Sequence, residues 1–137
     1  MSYFPKSKTE KWGTPPDFYK TLNDEFHFDE FDPCPIDWKE GDPDGLSVEW
    51  ANRQFINPPY SNVAKWIEKA TIENQKGKLV VLLINAKTNT IAFHKFIYQK
   101  PNVEVRFIKG RLCFVNPNEP EKRQQNPVGS MVIIFKP

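Results

Sequence analysis

The sequence predicts an α/β fold, a compact layered sheet, mostly parallel, with right-handed crossovers and an antiparallel closing hairpin. Three observations predict it. Residues 78–85 (KLVVLLIN) form one continuous apolar run, the pattern of a strand covered on both faces. Residues 61–75 and 90–99 flank it with apolar positions at helical spacing. From residue 55 onward the order is strand, helix, strand, helix, strand, strand, which short connections and crossover chirality reduce to a layered sheet.

Each element has its own signals. Residues 1–11 are polar and Lys-rich and are expected to fray. Thr14 reads as an N-cap with Pro15 at the first helical position. Phe18, Leu22 and Phe26 then place one apolar stripe on a helix over 15–26. Residues 28–32 read as a short strand, stopped by Pro33-Cys34-Pro35, because prolines break a ladder and restrict the residue before them. Residues 36–45 (IDWKEGDPDG) are acidic and turn-rich, and 46–50 read as a second short strand. A third, at 55–57, ends at Pro58-Pro59. Ser61 or Asn62 caps the next helix, whose apolar face is Val63, Trp66, Ile67 and Ala70, with Gly77 as its C-terminal signal. Strands follow at 78–85, 103–108 and 130–136, the helix over 90–99 lying between the first two. Residues 116–127 (NPNEPEKRQQNP) read as a long polar loop, and such loops in a small domain are usually functional or disordered.

The chain has 137 residues and a mass of 16.0 kDa, which bounds it to one domain, 1–137, able to bury a core without covalent staples. Cys34 and Cys113 lie far apart in sequence and make no disulfide framework. The net charge of +2 excludes a polycation or an acidic tail. No apolar run of about 20 residues spans a membrane, and the opening MSYFPKSKTEKWG lacks the apolar core of a secretory signal. A soluble cytoplasmic protein is expected, and a monomer. His27, Cys34, His94 and Cys113 lack metal-ligand spacing, so no metal is expected. Thirteen prolines, well above the average share, argue for stiff loops around a small sheet. Nineteen aromatic side chains, some in polar loops, invite a ligand.

The sharpest motif is Asn57-Pro58-Pro59-Tyr60, directly after an apolar strand and directly before a helix. Ligands of open α/β sheets bind at the carboxyl ends of strands, where this tetrapeptide must lie. Asn57 offers an amide oxygen that accepts from an exocyclic amine. The prolines remove backbone donors and stiffen the turn, so that carbonyls there, that of Pro58 included, can accept. Tyr60 offers a flat face to a planar substrate. Two acceptors and a stacking ring suit methyl transfer to a weakly nucleophilic amine, whose nitrogen gains positive character as it attacks.

With these residues the chain resembles the phage-type DNA N-6-adenine-methyltransferases, a family dependent on S-adenosylmethionine. The likeness spans about residues 12–136. It runs from Trp12-Gly13-Thr14-Pro15 through Phe28-Asp29, Asp32-Pro33-Cys34, Asp44-Gly45-Leu46 and Trp50 to Phe55–Asn62, then Trp66 with Lys69-Ala70, Thr90 with Phe93-His94, Gly110-Arg111 with Phe114, and Gly129-Ser130-Met131 with Ile133-Ile134-Phe135. The resemblance implies a Rossmann-like methyltransferase sheet, abridged in its first half. It implies that Asn57, Pro58, Pro59 and Tyr60 grip a flipped adenine in DNA. It also implies that Asp32, Pro33 and Cys34 form a cofactor-binding turn, that Trp12, Thr14 and Pro15 close over the methionine end of the cofactor together with Asn57, and that Asp44 lies near its adenine. By the residues alone, Asp32 also reads as a turn acid, Trp12 as a core or lid residue and Asp44 as the start of an Asp-Gly turn.

The sequence departs from the usual pattern twice. No glycine-rich turn follows the first strand, and the 19 residues between Pro35 and Phe55 leave room for at most one crossover. Asp37, Glu40, Asp42 or Asp44 is then left to meet the cofactor's ribose. For DNA contact, Lys6, Lys8 and Lys11, then Lys109 and Arg111, then Lys122 and Arg123 form local basic clusters, and Gln124, Gln125 and Asn126 carry amides able to bond adenine edges. Weak sequence discrimination and strong salt dependence are expected. Two alternatives stand beside this reading. One is the same chemistry on RNA, cytosine N-4 or protein glutamine; the other is a non-catalytic module that binds DNA or a partner.

Overall fold

The computed structural model describes residues 13–116 and 118–137. Four strands, β1 (Arg53–Ile56), β2 (Leu79–Asn85), β3 (Val103–Phe107) and β6 (Ser130–Phe135), form one sheet in the order β1-β2-β6-β3. Strands β4 (Cys113–Asn116) and β5 (Glu119–Gln125) form a separate two-stranded hairpin. Helices α1 (Pro16–Phe26) and α2 (Val63–Gln75), a 3-10 turn (Tyr60–Asn62) and a π-helical turn (Phe93–Ile97) complete the described elements.

The sheet is mixed. β1 and β2 are parallel, with Phe55 opposite Val81, whereas β6 runs antiparallel to both β2 and β3. The mostly parallel sheet expected from the sequence is therefore corrected: one of the three pairings is parallel. The insertion of β6 between β2 and β3 accounts for this, since a single reversed strand makes both of its own pairings antiparallel. It also leaves β1, β2 and β3 pointing the same way. β3 closes the sheet at one side, with β6 as its neighbour.

The unbroken apolar run of β2 has the cause its composition implied. Val80, Leu82 and Ile84 enter one core, with Trp66, Ile67 and Ala70 of α2, Phe93 and Ile97 of the π-helical turn, and Ile133 of β6. Leu79, Val81 and Leu83 enter the other, with Leu22 of α1, Phe114 of β4 and Phe28. Side chains alternate across a strand, so only a strand covered on both faces is apolar at every position. Each fully buried side chain of this size contributes about 1.5–3 kcal/mol.

Beneath α2, at the amino end of β2, lies a buried ionic knot. The Glu73 carboxylate accepts from the ammonium groups of Lys78, of Lys69 at 3.0 Å and of Lys76 at 2.9 Å, and from the Trp50 backbone N–H at 3.1 Å. Lys78 also donates to the Trp50 carbonyl at 2.6 Å and to Glu49 at 3.1 Å. On the other face, the Arg106 guanidinium of β3 clamps Glu25 of α1 through two bonds of 2.8 and 2.7 Å and meets Glu104 at 2.6 Å.

Several local expectations are corrected. Residues 28–32 are not a strand. They lie beside β1, held by Asp29 N–H to the Arg53 carbonyl at 2.8 Å, Arg53 N–H to Asp29 Oδ2 at 3.0 Å, and the buried Gln54 amide, which donates to the Phe31 carbonyl at 2.6 Å. Side chains there take over bonds a ladder would make. Residues 46–50 are not a strand, because Asp44 accepts from Leu46 N–H and Ser47 Oγ while the Trp50 indole donates to the Gly45 carbonyl. Thr14 does not cap α1: its N-cap is Pro15, without a side-chain cap bond. Asn62 does not cap α2 through its side chain but accepts from the Trp66 indole at 3.2 Å. The helix expected over 90–99 is present but shorter and largely π-helical: residues 91–92 are α-helical and Phe93–Ile97 π-helical, closed by Tyr98 N–H onto the Phe93 carbonyl at 2.8 Å. Within the expected loop 116–127 lies β5, a strand whose hydrogen bonds need no apolar face. Asn126 there is buried: its amide donates to Asn85 Oδ1 at 2.8 Å and to Ser130 Oγ at 3.3 Å, pinning the foot of the hairpin to the sheet.

Candidate active site

The motif falls where β1 ends. Asn57 is the first residue beyond the strand, Pro58 is buried, and Tyr60 opens the 3-10 turn that leads into α2. Two cavities adjoin this segment. The larger, about 590 Å³, is lined by Asn57 and Phe55 of the β1 end, Thr14 and Tyr19, and Asp29 and Asp32 of the neighbouring segment. The smaller, about 380 Å³, is lined by Pro59, Pro33, Cys34, Asp44, Leu46 and Trp66. Ile36 belongs to both walls. Asn57 thus lines one cavity and Pro59 the other.

The larger cavity is acidic. Asp29, Glu30 and Asp32 line it, and its described lining includes no lysine or arginine. Burial raises the Tyr19 phenol above its ordinary range, and the nearby Asp32 and Glu30 charges raise it further. Such a wall favours a cationic guest. Asp32 has a local duty as well: its Oδ1 accepts from Cys34 N–H at 2.9 Å and fixes the turn. Asp44 acts in the same way on Leu46 N–H at 3.0 Å. Each acid thus shapes a turn, the reading the residues alone suggested, and each also lines a cavity.

The cavity roof comes from elsewhere in the chain. Gly13 exchanges two backbone bonds with Val115 of β4, at 2.8 and 2.9 Å, so the strap ahead of α1 lies along the hairpin. A β-carbon on Gly13 would sit 2.9 Å from the flexible end of Ile36 and 3.1 Å from the Val115 β-carbon, so these neighbours would have to give way to it. Thr14 follows, and its Oγ1 accepts a hydrogen bond from Asn57 Nδ2 at 3.2 Å.

The profile of the family described as DNA N-6-adenine-methyltransferase (Dam) matches residues 1–137. The chain belongs to the Dam family. It is 29% identical over 94 residues to the "DNA N-6-adenine-methyltransferase" of Haemophilus phage HP1 (strain HP1c1), an alignment covering 67% of this chain and 54% of that protein. The chain thus spans about half the length of the curated relative it matches. No solved structure matches it.

In this Dam-family chain the residues expected from the sequence divide into groups. Thr14, Asp32 and Asn57 come together around the larger cavity, and Pro33, Cys34, Asp44 and Pro59 around the smaller. Pro15 serves as the N-cap of α1. Tyr60 is 41% exposed and lines neither cavity, although burial raises its phenol above the ordinary value. Lys109, Arg111, Lys122, Arg123 and Gln124 are exposed on and beside the hairpin. Trp12, Lys6, Lys8 and Lys11 lie outside the described residues. Among the described residues no cluster of histidine, cysteine or carboxylate side chains could hold a metal ion, and no helix is long and apolar enough to cross a membrane.

Sequence reasoning missed the half-exposed aromatics Phe31 and Trp38, one in each cavity wall. Their signal was present: each sits among acidic residues in a stretch with turn character. It also missed Gly45. A β-carbon there would lie 1.9 Å from the Pro33 carbonyl oxygen and 2.7 Å from Trp66. Gly45 therefore lets its own backbone pack directly against the Pro33 carbonyl at the wall of the smaller cavity. Gly45→Ala is expected to lower stability by about 1–3 kcal/mol, as overpacking does, and to weaken any ligand of that cavity. Thermal melting and calorimetry with S-adenosylmethionine check this; a variant matching wild type in both would show that the approach is dispensable.

Proposed function

We propose that the chain is a single methyltransferase domain that moves the methyl group of S-adenosylmethionine to the N-6 amine of adenine in DNA, acting on a base turned out of the stack. The observation that carries the reading is the position of Asn57-Pro58-Pro59-Tyr60 at the carboxyl end of β1, with Asn57 lining one cavity and Pro59 the other. Membership of the Dam family supports it. The three strands that point one way, with the site at their carboxyl end, fit an abridged Rossmann-like sheet.

The donor set suits the cofactor. An acidic cavity matches its ammonium and sulfonium charges, and the smaller cavity, with Trp38, Trp66, Leu46 and Asp44, matches a nucleoside. Asp32 and Thr14 would face the methionine end and Asp44 the adenosine end. When bound, S-adenosylmethionine supplies an electrophilic methyl group on a positively charged sulfur. The chain's own residues act on the amine. Asn57 Oδ1 and the Pro58 carbonyl accept its N–H groups, hold its nitrogen in line, and stabilise the positive charge it gains. Tyr60, part exposed just after the motif's prolines, would offer its ring to the base, an interaction worth about 1–3 kcal/mol. Turning a base out of a duplex costs a few kcal/mol, so single-stranded or distorted DNA is the easier substrate.

Labelled methyl transfer, offered DNA, RNA and protein in parallel and followed by hydrolysis of the labelled DNA, tests the reading. N-6-methyladenine is expected. Label confined to RNA, to protein or to cytosine would move the activity to another substrate, and absence of S-adenosylmethionine binding by calorimetry would favour a non-catalytic module.

The hairpin is the DNA-facing arm of this reading. Lys122 and Arg123 are exposed on β5, Lys122 within 3.3 Å of Glu119. Replacing both by alanine is expected to weaken DNA binding uniformly across sequences. The slope of log affinity against log salt should become shallower by about 1.8, at about 0.9 for each phosphate no longer neutralised. An unchanged slope in a fluorescence-anisotropy titration would remove the hairpin from the DNA interface.

A further inference from the structure

Among the described residues Phe107 is the most exposed aromatic, at 65%. Single exposed apolar residues are ordinary on a protein surface, so exposure alone carries nothing. The placement of this one does. Phe107 is the last residue of β3 and pairs with Met131 of β6, which in turn pairs with Ile84 of β2. Ile84 lies two residues beyond Leu82, the partner of Ile56 on β1. The row therefore runs on to Pro58, two residues beyond Ile56. Phe107 and the Asn57-Pro58-Pro59-Tyr60 segment stand at one level on the carboxyl end of the sheet, three strand spacings or about 14 Å apart. That separation is close to the width of a DNA major groove, about 12 Å.

We propose that Phe107 is a wedge for duplex DNA: its ring enters the stack beside the base turned out toward Asn57-Pro58-Pro59-Tyr60, while Lys109 and Arg111 meet the flanking phosphates. This rests on the DNA reading given above. Three observations support it. First, the ring is carried on a fixed backbone. Phe107 is in the β3–β6 ladder, Ile108 N–H donates to the Ser130 carbonyl at 3.0 Å, and the Ile108 side chain packs on the core of the α1 face. Second, side chains alternate across a strand, so Phe107 shares the face of Val103 and Val105. Those two pack against the core and Phe107 stays open to solvent. Third, the charge beside it suits a polyanion. Lys109 and Arg111 are exposed on either side of Gly110, whose φ of +75° turns the chain, and among the described residues neither enters an ion pair. The acid of the same strand, Glu104, is already matched by Arg106 and Lys136. Apolar side chains inserted between base steps are a general means of unstacking a duplex, and stacking on an aromatic face tolerates any base. Phe107 is thus a positioning residue, acting on the DNA and not on the reacting atoms.

The test compares wild type, Phe107→Ala and Phe107→Trp in the full chain, with the same DNA offered as duplex and heat-denatured. Phe107→Ala is expected to lower methylation of the duplex by about 10- to 100-fold and that of the denatured strands by less than about threefold, because only the duplex has a stack to open. KM for S-adenosylmethionine should stay the same. Phe107→Trp, which keeps a flat apolar ring, should retain the duplex rate. An equal loss on both forms of DNA would make Phe107 a general or merely structural contact and overturn the proposal, as would an undiminished duplex rate in Phe107→Ala. A second readout does not need activity. The emission that Phe107→Trp adds to that of wild type should be quenched by saturating duplex DNA and shielded there from acrylamide. An added indole that stays bright and accessible on the duplex would overturn the wedge. If the wild-type chain methylates no adenine while the added indole is quenched, the proposed function fails and the wedge stands.

Discussion

Asn57→Ala is expected to lower methyl transfer by about two to three orders of magnitude, the usual loss when one preorganised charge-stabilising group is removed from a reacting centre. The side chain sits at the end of β1, outside both apolar cores. Its truncation removes the bond to Thr14, worth about 1 kcal/mol. The variant should therefore fold, and thermal melting should place it close to wild type. Single-turnover incorporation of labelled methyl into DNA measures the loss, and S-adenosylmethionine binding measured beside it separates chemistry from affinity. A variant that turns over at the wild-type rate would remove Asn57 from the mechanism and the motif from its central place.

Glu73→Gln is expected to cost about 3–5 kcal/mol, as does removing one partner from a buried ionic cluster. Burial raises the Glu73 carboxyl, but hydrogen bonds from Lys78, Lys76 and Lys69 and from the Trp50 N–H outweigh it, and the group is held down at about 2 against an ordinary 4.5. The sign follows directly. A depressed folded value means that the carboxylate stabilises the fold at every pH above about 4.5, and that this contribution is lost as pH falls from there toward 2. Melting curves from about pH 7 down to about pH 2.5 should therefore show a wild-type decline beginning near 4.5, and a Glu73→Gln chain that starts lower and declines less. Parallel curves for the two chains would show that the knot contributes nothing to acid sensitivity.

The legible parts of the sequence were those with a local cause. The β2 run announces a strand covered twice because every position is apolar. Asn57-Pro58-Pro59-Tyr60 announces a strand end because prolines stop a ladder and the next apolar positions return at helical spacing. Non-local causes left weaker marks. Whether residues 28–32 form a ladder depends on Gln54, more than twenty residues away, whose amide occupies the Phe31 carbonyl. The polar stretch before Pro127 forms β5 because Cys113–Asn116 lies ready to pair with it, and hydrogen bonds between backbones leave no trace in side-chain hydropathy. Thr14 before two prolines reads as a cap, yet its hydroxyl is claimed by Asn57, a partner that only the folded chain brings near. Of the candidate site, motifs named part of each cavity wall, Thr14, Asp32 and Asn57 on one side and Pro33, Cys34, Asp44 and Pro59 on the other, but not Phe31 or Trp38, nor the division between two cavities sharing Ile36.

β3, one of the two outer strands of the sheet, has a further effect on how the protein behaves at high concentration. A strand with one neighbour is a template on which a foreign strand can grow. On β3, Glu104 and Arg106 place opposite charges along the backbone, Lys136 just beyond β6 reaches Glu104 at 3.1 Å, and Glu25 of α1 holds the guanidinium at 2.7 Å. A stranger docking there would have to desolvate this whole lattice of ions, a deterrent against stacking into fibrils that needs no extra element to hide the border.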